Sequence, residues 1–325
     1  MKAVVIEKQG GPENLVYRDW PDPEPGAGDL VVRVRVCGLN HLDIFVRRGM
    51  PGFPVPVPFI SGADVAGVVE AMGGDVDAFS IGERVVINPV TPDGMIGEEI
   101  QGGMAELVRV PATHAVPIPE AVSFEQAACL PVAYGTARRM LLERANVQPD
   151  ETVLVLGASG GVGNAAVQIA HNLGATVIAC AGSQEKCERL RALGADHTID
   201  YSKTDFSAEA WKLTAKKGVD VVVNFTGGDT WVPALRALRK QGRMVTCGAT
   251  AGFDPKTDIR FIWTRELTII GSTGWTTDDI RVLLDDVAGG RIDPIISHSL
   301  PLGEARQAEE LIEGRSIFGK VLLIP

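Results

Sequence analysis

The sequence of 325 residues is short of cysteine, histidine and positive charge. Its five cysteines are odd in number and scattered, which excludes a disulfide framework and a Cys-x-x-Cys zinc site. The five histidines include no pair at the i, i+4 spacing with which a helix binds a metal. Basic residues number 31 against 41 acidic ones, so the formal net charge is -10. We expect no nucleic-acid partner, because binding to phosphates relies on clustered Lys and Arg.

Long apolar runs are also missing. No stretch approaches the ~20 residues of a membrane helix, and the run at 1–6 is cut short by Glu7 and Lys8. That run predicts a first strand rather than a signal peptide. The content of 45% hydrophobic and 22% charged residues is ordinary for a globular protein. We therefore expect a cytoplasmic protein without a membrane partner, long enough for two domains with sizeable cores.

The most informative segment is a glycine-rich stretch between a predicted strand and a predicted helix. The run VLVL at 153–156 predicts a buried strand, GASGGVG follows at 157–163, and the pattern at 164–170 is helical. Glycines allow the backbone to approach phosphates, and a helix N-terminus offers unpaired amides. The alternative is a tight turn that serves packing alone. We predict a site for a dinucleotide pyrophosphate, formed by Ala158, Ser159, Gly160, Gly161, Val162 and Gly163.

Three regions follow one another along the chain. Gly, Pro and Asp clusters separate short β-rich runs, which predicts a compact β-barrel-like domain; the runs lie at 3–6, 30–36, 65–69, 84–87 and 105–110. Strand-like runs then alternate with helical stretches, which predicts a doubly wound parallel sheet; these runs lie at 153–156, 176–180, 197–199, 219–224, 243–247 and 267–270. The last region, with helical patterns at 277–289 and 302–313 and a strand at 319–324, is expected to return to the first domain.

Several short motifs carry a family resemblance over essentially the whole chain. Besides the glycine loop, they are MKAVV at 1–5, PEPG at 23–26, VCGLNHLD at 36–43, GADVAGVV at 62–69, GERV at 82–85, GGMAE at 102–106 and FGKV at 318–321. The chain resembles the medium-chain dehydrogenase/reductase superfamily and is most similar to its zinc-free, quinone-oxidoreductase-like branch. The resemblance implies an α/β fold with a GroES-like catalytic domain at 1–123, completed by 273–325, and a Rossmann cofactor domain at 124–272.

Three positions bear on metal binding. Where zinc-dependent members of the superfamily have ligands, this chain has Asn40, Ala63 and Pro131, which cannot form a thiolate and imidazole shell. The lobe that holds a structural zinc is also missing, since 91–101 contains no cysteine. We expect no metal, and an adventitious site remains the alternative, since three further residues with ligating side chains lie nearby in the sequence: His41, Asp64 and Cys129.

Without a metal ion as Lewis acid, the range of substrates that the protein could reduce is smaller. An isolated ketone or alcohol is hard to polarise without one, whereas hydride addition to an alkene conjugated with a carbonyl delocalises the negative charge. The resemblance implies that Asn40 lies near the nicotinamide and the substrate, and that Thr136 lies beside the nicotinamide. Their alternatives are an Asx turn for Asn40 and a helix-terminal hydroxyl for Thr136. We therefore expect a reductase of activated alkenes or quinones.

The cofactor preference is predicted from the end of the second strand of the parallel sheet. Members of the superfamily that prefer NAD have an acidic residue there, but this strand ends in Ala181. Ser183 and Lys186 suit the 2′-phosphate of NADPH, and Tyr201 matches a tyrosine that flanks this phosphate in relatives. The alternative for Lys186 is a solvated lysine on a helix face that binds no phosphate. The acidic Asp200, next to Tyr201, is evidence against NADPH. We expect NADPH as the cofactor.

Further contacts are expected where later strands end and at the substrate wall. Ligands bind outside the carboxyl ends of such sheets, which suggests nicotinamide contacts from Gly227, Gly248, Ala249 and Ser272. The substrate would meet an interdomain cleft with the candidate residues Phe45, Arg48, Phe53, Trp263 and Trp275, although large apolar side chains more often belong to a core. The outermost strand of the sheet, at 267–270, predicts a homodimer by edge pairing.

Three other functions remain open. A reductase of enoyl thioesters such as acryloyl-CoA would share the chemistry but needs basic residues for the CoA phosphates, and its candidates are Arg47, Arg48, Arg260 and Arg265. A zinc-type alcohol dehydrogenase is a distant alternative. An NADPH-binding protein without catalysis, acting through a partner, belongs to a different class.

Overall fold

The computed structural model describes residues 1–50 and 54–325. Its residues group into two compact units, the first Met1–Gly135 with Trp275–Pro325 and the second Thr136–Gly274. Residues 124–135, placed by the sequence analysis in the cofactor domain, are grouped with the first unit, so the start of that domain at 124 stays a prediction.

The regular elements are numbered here in chain order. The strands are β1 (Lys2–Ile6), β2 (Leu15–Asp19), β3 (Asp29–Leu39), β4 (Asp64–Met72), β5 (Arg84–Ile87), β6 (Val90–Thr91), β7 (Gly94–Met95), β8 (Leu107–Pro111), β9 (Ala115–Pro117), β10 (Thr152–Val155), β11 (Thr176–Ala181), β12 (His197–Asp200), β13 (Val219–Val223), β14 (Leu238–Thr246), β15 (Thr268–Gly271), β16 (Ile296–Pro301) and β17 (Lys320–Ile324). The α-helices are α1 (His41–Arg48), α2 (Phe124–Ala128), α3 (Thr136–Arg138), α4 (Gly161–Asn172), α5 (Gln184–Ala192), α6 (Phe206–Leu213), α7 (Trp231–Ala237), α8 (Arg260–Thr264), α9 (Thr277–Ala288) and α10 (Ala305–Glu313). Short 3-10 turns lie at Pro12–Asn14, Ala112–His114, Gly228–Thr230 and Leu302–Glu304, and π-helical turns at Leu130–Gly135 and Arg139–Arg144.

The first unit is built on a seven-stranded sheet in the order β16-β17-β3-β4-β5-β9, with β8 also paired to β3. Strand β3 supplies Leu30, Val32 and Val34 to the apolar core, each at most 3% exposed. Their period of two is the one that puts side chains on a single face of a strand. Strand β17, near the end of the chain, pairs in parallel with β16 and antiparallel with β3.

The second unit is a sheet of parallel strands in the order β12-β11-β10-β13-β14-β15. Its central strands are continuous apolar runs, because helices cover both faces of such a sheet. In β10 and β13, Val153, Val155 and Val222 are fully buried. The predicted fold class, a GroES-like domain with a Rossmann domain, is confirmed.

The outer strand β15 differs from the central strands because it is largely exposed. Ile269 at its middle is 38% exposed, and Trp263 on the preceding helix α8 is 60% exposed. No helix among residues 1–50 and 54–325 is long and apolar enough to cross a membrane. The cytoplasmic location stays a prediction.

Candidate active site

The glycine loop joins β10 to α4 and leaves the start of that helix open. Gly160 is the N-cap, no side chain caps the helix, and its first turn holds no acidic residue. A Cβ at Gly163 would lie 2.3 Å from the Gly157 carbonyl oxygen, so packing alone requires glycine there. At Gly160 the nearest atom would be 3.7 Å away, so packing does not explain that glycine. An uncapped helix N-terminus beside open backbone fits an anionic pyrophosphate.

Asn164 holds this loop in place, although it belongs to none of the candidate site residues predicted from the sequence. Its side chain is 1% exposed, and its Nδ2 donates to the Ala158 carbonyl at 2.8 Å. The Ala158 N–H in turn donates to the Cys180 carbonyl on β11 at 3.0 Å. The loop is therefore fixed from the helix on one side and from the neighbouring strand on the other. The signal in the sequence was a polar residue at the start of an otherwise apolar helix.

The parallel strands bring the predicted cofactor residues to one edge of the sheet. The glycine loop follows β10, Ser183 follows β11 and Tyr201 follows β12. After β13, a Cβ at Gly227 would lie 2.9 Å from the Ala249 Cβ, so the residues that follow β13 and β14 meet. After β15, the Ser272 N–H donates to the Thr246 carbonyl at 2.8 Å. Gly248 is exposed and has no atom within 4 Å of its Cβ position.

A second unforeseen amide shapes the turn after β13. Asn224 is fully buried, and its Oδ1 accepts from the N–H groups of Thr226 and Gly227 at 3.0 and 3.1 Å. The Thr230 hydroxyl donates to the same oxygen at 3.3 Å. Gly227 is thereby held at a φ of 66°, in the left-handed region that favours glycine.

The residues proposed for the 2′-phosphate gather beside the end of β11. Ala181 pairs in register with Asp200 of β12, and the Tyr201 hydroxyl oxygen lies 3.2 Å from the Cβ position of Gly182. Ser183 is the N-cap of α5, and its Oγ accepts from the Lys186 N–H at 3.3 Å.

Two charged groups set the electrostatics of this corner. Partial burial lowers the pKa of Lys186, a penalty that a bound phosphate would relieve. The Asp200 carboxylate accepts from the Ser202 hydroxyl and N–H and pairs with Lys203 at 3.6 Å. Those bonds lower the pKa of Asp200. Its negative charge is therefore partly compensated within its own turn.

In the first unit, Asn40 stands at the junction of β3 and α1. It is the N-cap of α1. Its side chain contacts two charged groups: Nδ2 donates to Asp64 Oδ2 at 2.9 Å, and Oδ1 accepts from Lys320 Nζ at 2.6 Å. The Asx turn weighed for Asn40 stays an untested alternative.

Asp64 and Lys320 form a buried ion pair behind Asn40. The carboxylate is 0% exposed and the ammonium 3%, and they meet at 2.8 Å. Asp64 Oδ1 also accepts from the Val132 N–H at 2.8 Å, and Lys320 Nζ also donates to the Leu39 carbonyl at 2.8 Å. All three hydrogens of the ammonium are thus engaged. Lys320 belongs to the FGKV motif of the family resemblance, but no role for it was predicted from the sequence.

Asp43 completes the polar interior of this region. Its Oδ2 accepts from the Asn40 N–H at 2.8 Å, and its Oδ1 accepts from the Gly62 N–H at 2.9 Å. The Ser61 hydroxyl lies 2.8 Å from both Asp43 Oδ1 and the Gly97 carbonyl. Burial raises the pKa of Asp43 to about 6, against the opposing effect of these hydrogen bonds. Asp43 thus anchors both the start of α1 and the segment before β4.

The donor set around Asp64 is unsuited to a divalent cation. A buried ammonium already neutralises the carboxylate, and burial raises the pKa of the nearby Cys129 thiol to about 12, far from a thiolate ligand. Ala63 and Pro131 are both buried and have no ligating atoms. Within the described ranges, no three His, Cys, Asp or Glu side chains lie together in a metal-binding arrangement.

The candidate substrate residues have different surroundings. Trp275 is 8% exposed, and its ring packs where a Cβ of Gly135 would stand, 2.6 Å from the ring. Trp263 is 60% exposed, and Phe45 is half-buried on α1. Thr136 is half-buried at the start of α3, which continues directly from the π-helical turn Leu130–Gly135. Phe53 lies outside the described residues.

The arginines considered for CoA phosphates are engaged within the protein. Arg47 is 0% exposed; it bonds Glu309 and Glu313 of α10, and the Gly10 carbonyl at 2.6 Å. Arg48 pairs with Glu313 at 2.8 Å. Two more lie in the second unit: Arg260 pairs with Asp258, and Arg265 donates to the carbonyls of Leu235 and Arg236.

Comparisons with known proteins agree with this geometry. The GroES-like domain family of alcohol dehydrogenases matches residues 26–120, and the zinc-binding dehydrogenase family matches 161–289. A 2-haloacrylate reductase of Burkholderia sp is 33% identical, covering 99% of this chain and 98% of that protein. The quinone oxidoreductase of Rattus norvegicus is 30% identical, covering 100% and 98%.

Solved structures give the same result. One described as an NAD-dependent alcohol dehydrogenase superposes with a TM-score of 0.96 at 38% identity, covering 100% of both chains. A mycobacterial protein solved with NADPH gives a TM-score of 0.90 at 29% identity, again covering 100% of both chains. Members of this group bind nicotinamide cofactors. Sequence identity of 30% or more along the whole chain, together with the fold, shows that the protein is an oxidoreductase of the medium-chain dehydrogenase/reductase superfamily and belongs to its quinone-oxidoreductase-like branch.

Proposed function

We propose that the protein is an NADPH-dependent reductase that transfers hydride to quinones or to alkenes conjugated with a carbonyl, without a metal. One observation carries the proposal: the amide of Asn40 is held by the Asp64–Lys320 ion pair. The family resemblance implies that zinc-dependent members have a ligand at this position. An amide N–H can donate to a carbonyl oxygen that gains negative charge, which suffices for an activated substrate. The name of the 2-haloacrylate reductase, an enzyme for an activated alkene, supports the same class.

The cofactor, when bound, supplies the hydride. We propose that the uncapped start of α4 and the glycine loop hold its pyrophosphate, and that Ser183, Lys186 and Tyr201 hold the 2′-phosphate of NADPH. Nicotinamide contacts are assigned to Thr136, Gly227, Gly248, Ala249 and Ser272. The mycobacterial relative solved with NADPH supports this choice. The relative described as NAD-dependent supports NADH, the competing cofactor.

The other functions have less support. An enoyl-CoA reductase needs free cations for the CoA phosphates, and each of the four arginine candidates already binds protein groups. A zinc-type alcohol dehydrogenase needs ligands that positions 40, 63 and 131 do not provide. A non-catalytic NADPH-binding protein would need neither the ion pair nor the oriented amide. The substrate residues Phe45, Arg48, Phe53, Trp263 and Trp275 stay predictions.

Steady-state oxidation of NADPH against a panel of quinones, enones, haloacrylates and enoyl-CoA thioesters tests the function. We expect turnover with quinones, enones or haloacrylates. Turnover with enoyl-CoA thioesters alone would support the CoA alternative. Tight NADPH binding with no turnover on any substrate would contradict the proposal and favour a binding protein.

We predict that activity does not depend on zinc. The expected result is full activity after dialysis against a chelator, with far less than one zinc per subunit by elemental analysis, because the donor set lacks a metal shell. About one tightly held zinc per subunit, lost together with activity, would overturn this prediction.

We also predict a homodimer formed through β15. An exposed apolar edge strand invites pairing with a second copy across a two-fold axis. Light scattering should give twice the chain mass of 34.5 kDa, and Ile269→Lys should shift the mass toward the monomer. Val282→Lys, at a side chain of α9 with the same 38% exposure, is the matched control and should not. A monomeric wild type at micromolar concentration would count against the dimer.

A further inference from the structure

The amide of Asn40 has only one orientation that its neighbours accept. Lys320 Nζ is a donor without acceptor capacity, so it must face Oδ1; ionised Asp64 is an acceptor, so it must face Nδ2. Rotating the amide by half a turn would set an NH₂ group against an ammonium and a carbonyl against a carboxylate. Both favourable contacts, at 2.6 and 2.9 Å, would become repulsive. The ion pair therefore fixes the amide.

The same contacts leave one N–H of Asn40 available. The amide has two N–H bonds, of which one is committed to Asp64. The other meets the Gly38 carbonyl at 3.4 Å, near the outer limit of a hydrogen bond. Asn40 is half-buried, whereas Asp64 and Lys320 are enclosed. Only Asn40 of these three can thus reach a ligand, and the charges behind it act through its amide.

We propose that Lys320, together with Asp64, is a positioning residue that presents the weakly bonded Nδ2–H of Asn40 to the substrate oxygen. The inference rests on the proposed function and adds a requirement on the substrate: its negative charge must develop on an oxygen that accepts one hydrogen bond, as in an enone, a quinone or a haloacrylate. Lys320 holds the amide oxygen and neutralises the Asp64 carboxylate that bonds the donor nitrogen, and it makes no contact with the substrate.

A double-mutant cycle in the full chain tests the coupling. The variants are Asn40→Ala, Lys320→Met and both together, with kcat and KM measured on the best panel substrate at saturating NADPH. Lys320→Met should lower kcat by about 10- to 100-fold, a loss of the size found when the hydrogen-bond partner behind a metal ligand is removed. In the Asn40→Ala background it should change kcat by less than about twofold, because the residue through which it acts is gone. Equal losses in both backgrounds would overturn the proposal.

Folding needs its own control, since Lys320→Met leaves the Asp64 carboxylate buried without a counter-charge. Lys320→Met with Asp64→Asn is uncharged and nearly isosteric. We expect this pair to recover most of the thermal stability while kcat stays low and the Kd of NADPH stays unchanged. Recovery of kcat together with stability would show a purely structural ion pair and would overturn the proposal.

A readout without a substrate separates this inference from the proposed function. With asparagine labelled by ¹⁵N, the Asn40 side-chain signal is assigned by its loss in Asn40→Ala. Its hydrogens should exchange with solvent at least about tenfold faster in Lys320→Met, because a fixed hydrogen-bonded amide is protected. Faster exchange in a protein that turns over no panel substrate would refute the function and retain the positioning role. Equal exchange rates would refute the positioning role.

Discussion

Replacing Lys186 by alanine is expected to weaken NADPH binding by about ten- to hundredfold and to leave NADH nearly unaffected, because one charge-assisted contact to the 2′-phosphate is lost. The partly buried position of Lys186, which lowers its pKa, suits a phosphate partner. Lys212→Ala is the matched control, since Lys212 is a 71% exposed lysine of the same unit that pairs with Glu209. Lys212→Ala should change the binding of neither NADPH nor NADH.

An aspartate at position 181 should move the preference further, toward NADH. Its carboxylate would repel the 2′-phosphate and accept from a free ribose hydroxyl. The structure adds a condition: Ala181 is 0% exposed and in register with Asp200, so a new carboxylate there would face an existing one. Ala181→Asp should therefore be combined with Asp200→Asn, which removes the repulsion.

The measurement is kcat/KM for both cofactors in wild type and variants, at one ionic strength because salt screens surface charges. Equal losses with NADPH and NADH would show that these residues support the fold rather than bind the phosphate. A wild type that prefers NADH would overturn the cofactor assignment.

The second large effect is expected from Arg47→Met, which should lower the free energy of unfolding by about 3–5 kcal/mol. Arg47 is 0% exposed and pairs with Glu309, which is 1% exposed. Without the guanidinium, Glu309 keeps a buried charge whose Oε1 already has no hydrogen-bond partner. Arg48→Met is the matched control, because Arg48 is 56% exposed and bonds Glu313, which Arg47 also bonds. Its loss should lower the free energy of unfolding by at most about 1 kcal/mol.

This destabilisation should depend on pH in a definite direction. Burial raises the pKa of Glu309 from 4.5 to about 7, and Arg47 opposes that rise. Between pH 4.5 and 7, the folded state of the wild type thus binds more protons than the unfolded state. Above pH 7 Glu309 is ionised in both states, and the full free-energy cost of its buried charge lowers the stability of the fold. Removing Arg47 raises the pKa further, so the loss should be greatest above pH 7 and smaller near pH 5.

Urea titrations at pH 8 and pH 5 measure both effects. Arg47→Met with Glu309→Gln should recover much of the loss at pH 8, because the buried charge is gone. An equal loss for Arg47→Met at both pH values would contradict the assignment to Glu309, and a loss as small as that of Arg48→Met would contradict the buried ion pair.

Local sequence patterns predicted the positions of the strands, but they did not predict which charged residues are buried inside the first unit. Each strand-like run of the second unit became a strand, because continuous Val and Ile runs suit a sheet covered on both faces. Lys320 and Arg47, in contrast, are of residue types that usually lie on the surface. Their burial is possible only because each forms an ion pair, with the residues at positions 64 and 309 respectively. Those partners lie more than 250 positions away in the sequence. No local pattern encodes such a pair.

The two tryptophans illustrate a different limit. Trp263 and Trp275 stand close in sequence and were assigned the same role, yet one is 60% exposed and the other 8%. The difference depends on Gly135, whose missing Cβ makes room for the ring of Trp275. A sequence pattern shows which residues are apolar, but whether a ring is enclosed depends on tertiary contacts.

The separation of Asp64 from Lys320 has a consequence for how the protein is made. The two are 256 residues apart, which corresponds to on the order of 10–50 s of synthesis. During that interval every residue of the second unit, Thr136–Gly274, is produced, so the unit that comes second in the chain has its complete sequence first. A nascent chain that ends between residues 275 and 319 already contains all the strands of the second unit, but it lacks the ammonium with which Asp64 pairs. The buried ion pair of the first unit can therefore form only after residue 320 has been synthesised.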